Sequence, residues 1–310
     1  MTDPGSVVVA GEHAIGIDVG GTKIAAGLVA LASGRVLARR EQLTVATRGG
    51  GAVLEDTVRL ATDLQLEAAV SGISVRGIGI GVCELVDQQG NVTSAHTVAW
   101  HGLPVRERLA RLAPAVVDAD VRVHALAEAR YGAGRPFQLF VFVTVGTGIS
   151  SCLVQGGRPL AGARGNALVL ASSPYTFTCA QCGARQHFVL EDYASGPALV
   201  ARYNALASAS LTRGEEVLAA AHAGDVIATD VVRSAGEALG VSIGWLVNVL
   251  DPEAVIVGGG LGTASGLYQD SMVASARAHI WADGGRDLPV ITAALGSDAG
   301  LIGAAAATQV

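Results

Sequence analysis

Apolar runs closed by glycine turns organise the first third of the chain. Residues 14–19 form a buried strand that ends in the turn Gly20-Gly21. Residues 24–31 and 36–44 read as two further strands, joined by a turn at Ser33-Gly34. The period then changes. Val53, Leu54, Val58, Leu60, Ala61, Leu64 and Ala68 recur close to helical spacing, which predicts a helix over 51–70. Residues 77–82 and 115–117 return to buried strands, and 121–131 to a helix. Beyond residue 196 the pattern is mostly helical, over 198–209, 215–223 and 229–249. A strand at 254–257, a Gly-Gly-Gly turn, another helix, a strand at 289–293 and a last helix at 298–308 complete the series.

Part of this pattern occurs twice. Val19-Gly20-Gly21-Thr22 is followed by Leu28-Val29 and then by Gly34-Arg35-Val36-Leu37. Val145-Gly146-Thr147-Gly148 is followed by Leu153-Val154 and then by Gly157-Arg158-Pro159-Leu160. Each copy is a strand, a Gly/Thr hairpin, a second strand and a turn. Two such units predict a duplicated α/β lobe with a cleft between the copies.

Composition narrows the class. With 310 residues, half of them apolar, the chain can bury two sizeable cores. A formal charge of −6 argues against nucleic acid as the main partner. Four cysteines are too few for a disulfide scaffold of this length, which suits a reducing, cytoplasmic setting. No uncharged apolar run approaches the roughly 20 residues of a membrane span, and no signal peptide is expected.

The turns suggest phosphate chemistry. Asp18 stands at a strand end just ahead of Gly20, Gly21, Thr22 and Lys23, the chain's one lysine. Bare amides in such a turn approach a polyphosphate, and the nearby carboxylate can hold Mg²⁺ directly or through water. Gly146, Thr147 and Gly148 repeat the turn in the second copy, and Gly258, Gly259 and Gly260 follow a third strand. Together they favour a nucleotide site.

The segments DVGGTKIAAGLV, VDADVRVHALAEARYGAG, VTVGTGI, GARGN, CAQCGARQH, LEDYASGPAL and VIVGGGL occur in an order that resembles the ROK family of repressors and sugar kinases. The resemblance spans Ile15 to the end of the chain. It implies duplicated actin/hexokinase-like (ribonuclease H-like) α/β lobes with a nucleotide and substrate cleft between them. Residues 1–120 plus 298–310 would form one lobe, with 121–297 as the other. It further implies ATP, phosphoryl transfer to a sugar-like hydroxyl, and a homodimer. Aligned back from Ala125-Leu126-Ala127-Glu128, the family's Asn-Asp pair falls on Ala119 and Asp120. Asp120 is thus the candidate general base, with Mg²⁺ offsetting charge on the γ-phosphate. Asp118 is the neighbouring alternative, and strand alternation would point both acids to one side.

Departures from the family pattern concern the acceptor. Where sugar kinases of the family place Glu and His in a Gly-Glu-x-Gly-His segment, this chain has Val169 and Ser172. Glu191 keeps a family sugar contact, Asn166 lies in the GARGN segment, and Thr97 takes the place of an expected Asn. Glu84 stands where the family has glycine and is a candidate new acceptor for a substrate amine or hydroxyl. The losses point away from glucose, toward an amino sugar, a deoxy sugar or a cyclitol. A nucleotide-binding, non-catalytic sensor is the competing expectation. A DNA-binding repressor is disfavoured by the acidic charge and by the thirteen or so residues ahead of the first strand. Cys179, Cys182 and His187 offer three ligands for a structural Zn²⁺. The family's fourth ligand would fall on Ser172, so water or another group would have to complete the site.

Overall fold

The computed structural model describes residues 12–178 and 183–310 and divides them into two compact α/β units. The first unit contains β1 (His13–Val19), β2 (Lys23–Ala30), β3 (Arg35–Leu43), α1 (Gly50–Val70), β4 (Val75–Val82), α2 (Val105–Ala110), β5 (Ala115–Ala119) and α3 (Asp120–Tyr131). Its sheet has the order β3-β2-β1-β4-β5. β1, β2 and β3 pair antiparallel, while β4 and β5 add on in parallel.

The second unit opens with β6 (Leu139–Val145), β7 (Ile149–Gln155) and the short β8 (Arg158–Pro159). β9 (Pro174–Thr178) and β10 (Arg185–Val189) form a separate antiparallel hairpin. Next come α4 (Glu191–Ala194), α5 (Gly196–Ala207), α6 (Gly214–His222), α7 (Val226–Leu250), β11 (Ala254–Gly258), α8 (Leu267–His279) and β12 (Val290–Thr292). The main sheet has the order β12-β11-β6-β7-β8. β6 pairs antiparallel with β7 and parallel with β11, which pairs parallel with β12. Matching β1 to β6, β2 to β7 and β4 to β11 makes the two strand orders identical. The repeated hairpin in the sequence is a repeated fold.

The final helix, α9 (Ala299–Ala307), belongs to the first unit. Every residue of AGLIGAAAA is buried. Its small side chains bring its backbone against the sheet, and Gly16 and Gly79 on β1 and β4 make room: a Cβ on either would collide with the carbonyl of Leu301 or Ala304. Gly303 likewise lies against the carbonyl of Val123 on α3. These contacts make α3 part of the first unit, which extends to Gly132 and not to residue 120. The same unit takes in residues 159–167, which the sequence division assigned to the second lobe.

Two features lay outside the sequence reading. The β9–β10 hairpin is one, and α2 and α4 are too short for a periodic signal. Cys179 and Cys182, expected as metal ligands, lie outside the described residues between β9 and β10.

Candidate active site

The Gly20-Gly21 turn joins β1 to β2. Gly20 N donates to Lys23 O at 3.0 Å, and Thr44 braces the turn by donating its hydroxyl to Gly20 O at 2.7 Å. Lys23 turns to the side of the sheet, where its ammonium lies 3.3 Å from Glu41 and half exposed. Arg39 bonds both Glu41 and Asp298, so Lys23 belongs to a surface ion network.

Asp18, next to last on β1, meets an imidazole that sequence reasoning missed. His124 Nε2 lies 3.5 Å from Asp18 Oδ2. The absence of a side chain on Gly300, at the start of α9, leaves room for both groups. His124 stands four residues after Asp120 on α3, so the two share a helix face. Burial works against the imidazolium, but the hydrogen bond and charge of Asp18, with Asp120 and Glu128, outweigh it and raise the His124 pKa. The available signal was the i, i+4 spacing from Asp120.

Asp120 is half-buried at the first turn of α3, and its Oδ1 accepts from Val121 N at 2.6 Å. Burial pushes its carboxyl up to about 6; His124 opposes the shift, while Asp18 and Glu84 add to it. A carboxylate that titrates near 6 is a more basic proton acceptor than an ordinary aspartate. The strand alternation expected for residues 118–120 does not hold, because the helix begins at Asp120. Asp118 instead pairs with Arg122, one turn on.

Arg122 is 6% exposed and joins three segments. Its Nε bonds Asp118, Nη1 donates to Gly165 O at 2.8 Å and Nη2 to Val86 O at 2.8 Å. Gly165, at φ +78°, packs so closely on Val86 that a side chain there is excluded. This tie holds residues 159–167 to the first unit and places exposed Asn166 next to an anchored residue.

Glu84 is 5% exposed, and its carboxylate is already occupied. Oε1 accepts from Thr97 N at 2.6 Å and Val98 N at 2.8 Å. Oε2 accepts from His96 N at 2.9 Å and from the Ser94 hydroxyl. Burial raises its pKa, yet the Ser94 hydroxyl and the three amides prevail and hold it below the ordinary value. Cys83 beside it is half-buried; burial, then the charges of Asp120 and Glu84, push its thiol up to about 12.

In the second unit two glycine turns meet. Leu261 N and Gly262 N both donate to Val145 O at 3.0 Å, joining the turn after β11 to the β6–β7 turn. Gly259, at φ +82°, packs on the Val145 backbone where no side chain fits. A Cβ on Gly146 would find only Gly260 N, at 3.8 Å, and one on Gly260 would meet nothing within 4 Å. The space beside these two glycines is thus clear of other atoms, while Gly146 N itself donates to Gly148 O at 2.9 Å. Glu191 begins α4 and accepts from Ile149 N at 2.7 Å, seated directly over Gly148. Ser172 lies on a turn and donates to Val169 O at 3.2 Å. His187 Nδ1 lies 2.9 Å from Thr176 Oγ1 across the β9–β10 pair. Among the described residues no group of three His, Cys, Asp or Glu side chains is placed to hold a metal ion. Nor is any helix among them long and apolar enough to cross a membrane.

The duplicated sheets and glycine turns define an actin/hexokinase-like fold. The ROK family model matches residues 14–309, and the chain belongs to that family. A glucokinase of Streptomyces coelicolor is 32% identical, covering 94% of this chain and 96% of its own. A ROK family glucokinase from Streptomyces griseus, solved in complex with glucose and AMPPNP, superposes with a TM-score of 0.79 at 30% identity. That match covers 94% of this chain and 98% of the other. A ROK family transcriptional regulator, a homolog of the E. coli MLC protein, reaches a TM-score of 0.81 at 25% identity over 96% of this chain and 78% of its own. Within the family this chain falls with the phosphotransferases that use an alcohol group as acceptor.

Proposed function

We propose that the protein is an ATP-dependent kinase that transfers the γ-phosphoryl group to a hydroxyl of a sugar-like molecule. The acceptor class is a non-glucose sugar, an amino sugar or a cyclitol. The observation that carries this reading is Asp120, a half-buried carboxyl raised to about 6, grouped in one unit with Asp18 and the Gly20-Gly21 turn. Asp120 accepts the proton of the attacking hydroxyl. His124 sits on the same helix face and in contact with Asp18, so it supplies compensating charge to both acids.

The cradle for the triphosphate is assigned to Gly20, Gly21 and Thr22 in the first unit, and to Gly146, Thr147, Gly148, Gly258, Gly259 and Gly260 in the second. The clear space beside Gly146 and Gly260 supports the second set, because a phosphate can come close to bare backbone there. Lys23 takes a supporting role through its charge. Asp18, an oxygen donor at a strand end, suits a hard divalent cation such as Mg²⁺. When bound, that ion would offset charge on the transferred group. Asn166, Thr97 and Glu191 are assigned to the acceptor, and Glu191 also holds the Gly148 turn. Ala119, Val169 and Ser172 lack the polar groups expected for glucose, which supports a different acceptor.

A structural Zn²⁺ at Cys179, Cys182 and His187, and a homodimer, complete the proposal; metal analysis and light scattering test each. The main experiment is ADP release across sugars, amino sugars and cyclitols, with Asp120→Asn as control. Turnover on one of them that is lost in the variant supports the reading. Tight ATP binding without turnover on any would favour a nucleotide-binding, non-catalytic sensor.

A further inference from the structure

Residues 95–97 are exposed and belong to neither helix nor strand, yet consecutive amides from His96 to Val98 converge on one buried carboxylate. Burying a carboxylate is unfavourable unless its oxygens are satisfied, and Glu84 meets that condition with two donors on each oxygen. Ser94 tightens the arrangement, because its hydroxyl also accepts from Leu85 N at 2.8 Å. The loop is thereby drawn to the end of β4, beside the end of β1. One consequence is steric. A Cβ on Gly21 would lie 2.7 Å from Thr97 Cγ2, so the loop lies on the Gly20-Gly21 turn and a side chain at Gly21 would have to displace the Thr97 methyl.

We propose that Glu84 is a positioning residue: it clamps residues 94–98 against the Gly20-Gly21 turn and does not itself bind the acceptor. The turn and Thr97 are then held in place before any substrate arrives, so their ordering is not drawn from binding free energy. A carboxylate with both oxygens occupied reads no substrate group; its influence passes through the backbone that it fixes. The consequence for catalysis rests on the kinase reading, whereas the clamp itself does not.

The test is amide hydrogen exchange on the full chain, read for residues 96–98, in the wild type and in Glu84→Gln. In the wild type these amides should exchange slowly despite the exposed side chains around them. The glutamine keeps the shape but removes the charge and turns an NH₂ group toward two donors. Exchange at 96–98 should therefore accelerate roughly tenfold or more, while the amides of β1 and β4 stay protected. Once an acceptor is known, kcat should fall several-fold with the acceptor KM nearly constant. Unprotected amides at 96–98 in the wild type would overturn the proposal even if the variant failed to fold. So would unchanged exchange in the variant together with a raised acceptor KM, the signature of direct substrate contact. Released amides in a chain that turns over no acceptor would uphold the clamp and remove the kinase reading.

Discussion

The two units share one strand order and one hairpin, and the turn at the end of the hairpin's first strand is glycine-rich in both. The residue just before Val19 is Asp18; the residue just before the corresponding Val145 is Thr144. Around Asp18 the first unit gathers His124, Asp120 and Glu84 in part-buried or buried positions. Around Thr144 the second unit gathers glycines, with Glu191 bonded to the turn. A duplicated scaffold has thus been divided by chemistry: one copy of the turn sits among titratable groups, the other among glycines with clear space beside them. Fold and turn recur because backbone geometry requires them, whereas charge at the turn is free to differ.

The largest test of this division is Asp120→Asn. The proposed base contributes about 10²- to 10⁴-fold, so kcat should fall by that order with the nucleotide affinity nearly unchanged. The same variant should be more stable at neutral pH. The folded carboxyl is raised to about 6 above an ordinary 3.8, so folding favours the protonated acid. That stabilisation is complete below about pH 4 and is lost as pH rises through 6. Removing the charge recovers about 1–3 kcal/mol, which chemical denaturation at pH 7.5 measures.

Arg122→Met tests the buried side of the same unit. It leaves Asp118 without its partner and two buried carbonyls, of Gly165 and Val86, without donors. The expected loss is about 3–5 kcal/mol of stability, read by denaturant titration. The glycine turns should respond position by position. A Cβ at Gly148 would lie 2.7 Å from Glu191 Oε2, so Gly148→Ala displaces that carboxylate and costs about 1–2 kcal/mol, with a raised nucleotide KM. At Gly20 the nearest atom to an added Cβ is Lys23 O, at 3.5 Å. Gly20→Ala should therefore stay within about 0.5 kcal/mol of the wild-type stability. Equal stability losses at the two positions would erase the contrast.

Much of the fold was legible because it rests on local signals. The apolar runs of β1, β2 and β4 and the helical spacing of α1 and α7 stand in the sequence close to their observed bounds. The echo at Val19 and Val145 foretold the matching sheets. The unit boundary was not legible, because Gly132 and residues 159–167 are placed by long-range contacts. Those contacts run through α9 and Arg122, which sequence periodicity does not register. The site divided in the same way. Glycine turns and Asp120 follow from motif and order, but the partner of a charge depends on packing. Glu84 looked available because four donors spread over residues 94–98 carry no motif. Lys23 stands in the motif, but its pairing with Glu41, eighteen residues away on β3, is set by strand packing.

The pH dependence of kcat/KM on the acceptor identified by the ADP-release panel tests the division of labour most directly. Asp120 accepts a proton only when ionised, so activity should fall as pH drops, with a midpoint near 6 and about tenfold per unit below it. The residual activity of Asp120→Asn should lack that limb. A wild-type profile flat down to pH 5, or the same midpoint surviving in the variant, would contradict Asp120 as the base and with it the assignment of the chemistry to the first unit.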